Sequence, residues 1–348
     1  MRRLLIGAAM LGLCGFAPAA GSAGHHVEAK VAPSSAPYAV TGAIAGNDGG
    51  WDYATIDPGA RRFYLSHADS VFVIELDTGK AIPHVGDAPH GHKVIPLDGG
   101  KVLAVTASGD NSLRFIDAQS GATLASVPTA AGPDSALYDP KSGMILVAAH
   151  RAGEVDIIDP RTRKAAGSIA VGGALEELAA DRSGHVFVAV EDRNEVVELD
   201  VAKKAVARRT KLAGCDGPTG LVYAARAHAL VGACDGAAAV IDSKSLKLEK
   251  LVPIGKGPDA ALYDDVRGTV LIPCGQTGDL AVLSARAPGK VSLIARVPTE
   301  KSARLGALDP RTGKVYLPTA RFLPPAAGQR RGAMEPGSFR VLVVSPKS

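Results

Sequence analysis

The phrase PDSALYDPKSG at residues 133–143 returns as PDAALYDDVRG at 258–268, with seven of eleven letters unchanged. Self-similarity at a fixed period restricts the fold more than any other feature of a sequence, and here it runs the length of the chain. Taking the Asp-Pro turn or its equivalent as a register mark, the residue six places earlier is Asp52, His90, Asp134, Glu176, Thr219, Asp259 and Arg304. Successive steps are 38, 44, 42, 43, 40 and 45 residues, which makes seven units.

Every unit has the same grammar. A short apolar segment reaches a turn, and a second follows, such as RFYLSH, MILVAAH, HVFVAVE, TVLIPCG or KVYLPTA. A third (SVFVIELD, SLRFID, EVDIID, EVVELD, AAAVID) closes on Asp77, Asp117, Asp159, Asp200 and Asp242, whose carboxylates suit turn capping. A weaker fourth runs into the next unit. Runs of four to eight β-branched and apolar residues bounded by Gly, Pro, Asp and Asn are strands. Four strands in about 42 residues make a propeller blade.

The predicted fold is therefore all-β: a seven-bladed β-propeller of four-stranded antiparallel blades. The last unit lacks a fourth strand, whereas YAVTGAIAG at 38–46 is a strand without a blade. Pairing 38–46 outside the 339–345 strand closes the ring and removes an exposed sheet edge.

The stretches GGWDYATIDPGARRFYLSH, VPTAAGPDSALYDP, CDGPTGLVY, ALDPRTGKVYLPTAR and PGSFRVLVV resemble the YVTN-repeat, YncE-like family of exported seven-bladed propellers. The resemblance covers roughly residues 37–345 and implies fold and export, not an activity, because one architecture hosts many functions. Blade two departs from the pattern: PHGHKVIPLDGG carries an extra histidine, and a lysine at a normally apolar position.

Residues 1–23 read as a signal peptide, with Arg2 and Arg3 ahead of an apolar run and small residues offering cleavage after Ala20 or Ala23. A lipoprotein reading at Cys14 is disfavoured by Leu13 before it. Residues 24–36 are expected to be a disordered tail and 37–348 a single propeller domain, with 320–338 a long proline-rich loop of blade seven. Cleavage takes the formal charge from +4 to +2, which argues against nucleic-acid or anionic-membrane binding. The expected location is the periplasm or the exterior, as a monomer without a membrane span. Export favours one disulfide and one free thiol among Cys215, Cys234 and Cys274. Cys215–Cys234, within blade five, ranks first and Cys234–Cys274, between blades, second.

Blade geometry places the register residues Asp52, His90, Asp134, Glu176, Thr219, Asp259 and Arg304 around one mouth of the central channel. Such a ring suits a small polar ligand or a cation, and equally suits strand capping around a hydrated channel. His67 and His90, on adjacent blades, are candidate ligands for a divalent metal at that mouth; no other cofactor is predicted. His92 and His150 lie nearby. The sequence contains no Gly-x-Ser-x-Gly elbow, phosphate loop, dinucleotide fingerprint or haem-attachment motif, so no catalytic residue is assigned. Three functions follow in order. The first is a non-catalytic binding or scaffold propeller engaging a small molecule or a periplasmic protein. The second is a lactonase-like, metal-assisted hydrolase. The third is an accessory subunit of a quinoprotein-type redox system.

Overall fold

Burial along the strands follows their order in each unit. In the second strand of blade three, Met144–Ala149, every residue after the first is buried, whereas in the fourth, Lys164–Ala170, only Ile169 is. Strands near the axis are covered on both faces by neighbouring blades and read as unbroken apolar runs. The outer strand meets water and reads as polar. The computed structural model describes residues 36–347 except 182, 326–327 and 329–331. The predicted leader at 1–23 and the tail up to residue 35 lie outside the described residues.

Seven four-stranded antiparallel sheets form the ring. Blades one to six span 51–87, 91–128, 133–170, 175–211, 220–253 and 262–298. Blade seven is assembled from both ends of the chain, its strands lying in the order Tyr38–Ala45, Arg340–Pro346, Val315–Thr319, Ala307–Leu308. The closing register runs from Tyr38 opposite Pro346 to Ala45 opposite Arg340, and the Lys347 amide donates to the Pro37 carbonyl at 2.8 Å. First strands of successive blades pack on one another around the axis, blade seven on blade one included.

Seven clusters of buried apolar side chains occupy the spaces between neighbouring blades. Tyr64, Val71 and Val73 of blade one, for example, pack on Val94, Leu103 and Ile116 of blade two. Each interface thus has its own core, and a blade is stable only between its neighbours. Four of the five turn aspartates act as expected: Asp117, Asp159, Asp200 and Asp242 each accept backbone amides two or three residues on, whereas Asp77 accepts from Arg61 Nε at 3.0 Å. The bonds to those four, led at Asp242 by the Ser245 hydroxyl, hold their carboxyls below the ordinary value.

Cys215 and Cys234 are joined, with Cα atoms 5.3 Å apart. Cys274 is free and buried, and burial pushes its thiol up to about 12, which removes it as a nucleophile. Opening the bond by Cys215→Ser with Cys234→Ser is expected to lower stability by about 3 kcal/mol on the loop-entropy model. Guanidinium unfolding of the variant and of the parent protein measures that difference directly.

His67, expected near a metal, belongs instead to the seam between blades one and seven. It is buried, with its ring 4.6 Å from Phe339 and 5.8 Å from Phe72. Gly49 has to be glycine because a Cβ there would lie 2.6 Å from the His67 ring. Beside it, Asp48 accepts the Gly337 amide at 2.5 Å and that of Phe339 at 3.2 Å, tying the start of the chain to the last strand. Burial lowers the His67 pKa, against opposing pulls from the Asn47 backbone and then Asp48. The folded state therefore binds fewer protons than the unfolded chain. This contribution to stability is intact above about pH 6.5 and is lost as pH falls below it. Unfolding at pH 7.5 and 5 should show a smaller acid loss for His67→Leu than for the parent protein.

The described ends of the long loop pair with each other: Phe322 bridges Met334, and Arg321 Nε bonds Glu335 at 2.6 Å.

Candidate functional site

Four blades share a local irregularity where they begin. The first strand pairs at Trp51, Gly91, Pro133 or Leu175, skips two residues, and resumes pairing at Ala54, Val94, Ala136 or Leu178. A bulge of this kind releases side chains from the ladder and re-aims them. The released pairs are Asp52–Tyr53, His92–Lys93, Asp134–Ser135 and Glu176–Glu177. In blade five the second position is Gly220, because the backbone of Ala260 would lie 2.5 Å from a Cβ there.

The first residue of each pair lines a cavity of about 450 Å³ at the channel mouth, with Tyr53, Ser108, Gly132, His150, Arg151, Asp259 and Arg304 completing its wall. His92 Nδ1 lies 2.5 Å from Asp52 Oδ2 and 2.9 Å from Asp134 Oδ1. Its Nε2 is 2.9 Å from Ser108 Oγ, and that hydroxyl also reaches the His90 carbonyl at 3.2 Å. His150 Nδ1 is 3.0 Å from Glu176 Oε1 and 3.1 Å from the Leu175 carbonyl. Across the mouth, Arg304 Nε donates to Asp259 Oδ2 at 2.6 Å.

The second residues of the pairs form a deeper layer. Glu177 Oε2 accepts the amides of Leu221 at 3.0 Å and Ala261 at 3.4 Å. Lys93 Nζ is 3.7 Å from Glu177 Oε1 and 4.6 Å above the centre of the Tyr53 ring. Beneath this layer lies a second cavity of about 660 Å³, lined by Lys93 and Glu177 and by Tyr138, Tyr223 and Tyr263.

Proton affinities in the upper cavity are displaced by their neighbours. Burial alone would lower His92, but hydrogen bonds to Asp134 and Asp52 outweigh it and push the imidazole up to about 10. Burial raises the Asp52 carboxyl, with His92 opposing. The Glu176 bond raises His150, and burial raises Glu176. Tyr53 is raised well above its ordinary value by burial and then by the surrounding acids.

Ser108, His92 and Asp52 stand in the order and spacing of a nucleophilic serine triad. The charge state argues against that use. A general base must be neutral at the working pH, and an imidazole pushed up to about 10 by two carboxylates has no lone pair for the Ser108 proton. The donors also form two ligand-type groups, Asp52–His92–Asp134 and Asp134–His150–Glu176, whose nitrogen and oxygen atoms lie within 4.8 Å of one another.

Of the seven register residues, Asp52, Asp134, Glu176, Asp259 and Arg304 line the upper cavity. Thr219 does not; its hydroxyl donates to the Pro258 carbonyl at 3.1 Å. His90 does not either, because its side chain faces solvent from a turn with φ +44°. His92 occupies the position expected for His90. Neither His67 nor His90 reaches the ligand-type groups.

No family model matches the chain, and no curated protein sequence does. Among solved structures, a chain of Kuenenia stuttgartiensis hydrazine synthase is similar with 15% identity and a TM-score of 0.68, over 80% of this chain and 95% of that one. A chain from a crystal structure of the mitotic checkpoint complex is similar with 11% identity and a TM-score of 0.70, over 99% of this chain and 100% of that one. At these identities the likeness concerns the fold alone. Among the described residues no helix is long and apolar enough to cross a membrane.

Proposed function

We propose that this protein is an exported, non-catalytic binding propeller of the YVTN-repeat, YncE-like kind, which holds a small polar ligand or the tip of a protein partner at its channel mouth. One observation carries the reading: six of the seven blades send polar or charged side chains into one cavity of about 450 Å³. A ring that only capped strands would satisfy its groups locally. Here Asp52, His92 and Asp134, from three blades, bond to one another across the opening. The disulfide and the lack of a membrane-spanning helix among the described residues are compatible with export.

The test is a thermal-shift screen of small acids, amines and sugars together with capture from a periplasmic extract, each repeated with Asp259→Asn and Arg304→Met. Binding that weakens at least tenfold in both variants supports the reading, and binding untouched by either sinks it. A second reading, metal-assisted hydrolysis of a lactone, draws on the ligand-type groups facing the same cavity. Lactone turnover that disappears in Asp134→Ala would favour it.

A further inference from the structure

We propose that the upper cavity holds one divalent transition-metal ion, bound by Asp52 Oδ2, His92 Nδ1 and Asp134 Oδ1. The proposal rests on the binding reading above and names what the site takes. Asp52, His92 and Asp134 come from blades one, two and three, each freed by the bulge at the start of its blade. His92 Nδ1 points between the two carboxylates at 2.5 and 2.9 Å, so its nitrogen and their oxygens already share one small space.

The shell behind the imidazole has the form that metal sites use. A ligating histidine passes its other N–H to an outer acceptor, which fixes ring and tautomer. His92 Nε2 meets Ser108 Oγ at 2.9 Å, and the Ser108 hydroxyl is itself anchored on the His90 carbonyl at 3.2 Å. With Nε2–H donating to Ser108, Nδ1 is the nitrogen that faces Asp52 and Asp134, and a bound ion takes the place of the proton shared there. The second group is built differently. His150 Nδ1 also faces the Leu175 carbonyl at 3.1 Å, and a metal on that nitrogen would displace the N–H the carbonyl needs. The structure therefore assigns the ion to the first group and leaves His150 with Glu176 as a pair beside it.

The two guanidiniums of the wall have partners outside the first group: Arg304 bonds Asp259, and Arg151 the Ser108 carbonyl and Asn111 Oδ1. One imidazole and two carboxylates select zinc, manganese or ferrous iron over soft cuprous copper. Three protein donors beside an open cavity also leave positions on the ion for water or for the bound molecule.

The full chain, stripped with a chelator, is titrated calorimetrically with Zn²⁺ alone. One ion per chain is expected, with affinity lowered at least a hundredfold by His92→Ala, tenfold or more by Ser108→Ala, and less than threefold by His150→Ala. X-ray absorption of the zinc-loaded parent protein, which needs no variant, should find a single imidazole in the first shell. Absence of zinc binding, binding indifferent to His92→Ala, a larger loss for His150→Ala than for His92→Ala, or two imidazoles on the ion would each overturn the proposal. If zinc fails while a small molecule still binds the metal-free protein in an Arg304-dependent way, the binding reading survives and the metal does not.

Discussion

Removal of residues 36–46 is expected to abolish cooperative folding of the ring. Strand Tyr38–Ala45 is the outermost of blade seven and pairs along its length with Arg340–Pro346. Tyr38 is only 2% exposed and packs with Leu271, Leu280 and Val315 of blades six and seven. Truncation of one such aromatic costs about 3–5 kcal/mol, against a total stability of roughly 5–15 kcal/mol for a typical protein. Losing the whole strand also bares the edge of Arg340–Pro346, an invitation to pair with another chain. The variant should therefore elute as aggregate or exchanged dimer and lose its sharp melting transition. Tyr38→Ala, the milder version, should lower Tm by about 8 °C or more. A synthetic peptide of residues 36–46 added in trans should restore part of the transition by strand addition. A deletion variant that melts like the parent protein as a monomer would show that the latch is not what holds the circle.

The second large effect is expected in the deeper channel layer. Glu177 is 8% exposed, and Lys93 is its charged partner. Lys93→Met leaves that carboxylate buried without a cation, a change that costs about 3–5 kcal/mol. Adding Glu177→Gln should recover more than half of the loss, because a neutral amide keeps its place near Leu221 and Ala261 without the charge. Burial already raises the Glu177 carboxyl, with Lys93 opposing. A carboxyl raised in the folded state makes that state bind the extra proton, so stability falls as pH rises through the unfolded value. The penalty for Lys93→Met should accordingly be greater at pH 8 than at pH 5. Urea unfolding of both variants at the two pH values measures the cycle, and a double variant weaker than Lys93→Met alone would refute the pairing.

The blades were legible because their signal is redundant. Apolar runs, turn aspartates and a period near 42 residues each point to the same strands, and the unpaired YAVTGAIAG had one remaining edge to occupy. The Cys215–Cys234 bond followed from placing both residues at one end of blade five. The site was half legible. In blade two the Pro96 of VIP imitates the turn proline, and counting back from it selects His90. The structural equivalent of Pro58 and Pro140 is Asp98, and the same count then selects His92. Hydrogen-bond register decides this, and no single letter encodes it. The unusual histidine and lysine of PHGHKVIPLDGG were visible as a departure, and they are His92 and Lys93, one in each layer of the channel. Ser108, His150 and Arg151 arrive from turns after second strands, where only folding brings them to the axis. Thr219 matched the register, but its hydroxyl is held by the Pro258 carbonyl.

The bond from Lys347 to Pro37 has a practical corollary. Both extremities of the described chain meet side by side at the outer strand pair of blade seven. Ala36 is buried there, so a linker, tag or surface tether joined at 347 would hold the wheel by its outer strands rather than by the side chains that line the upper cavity.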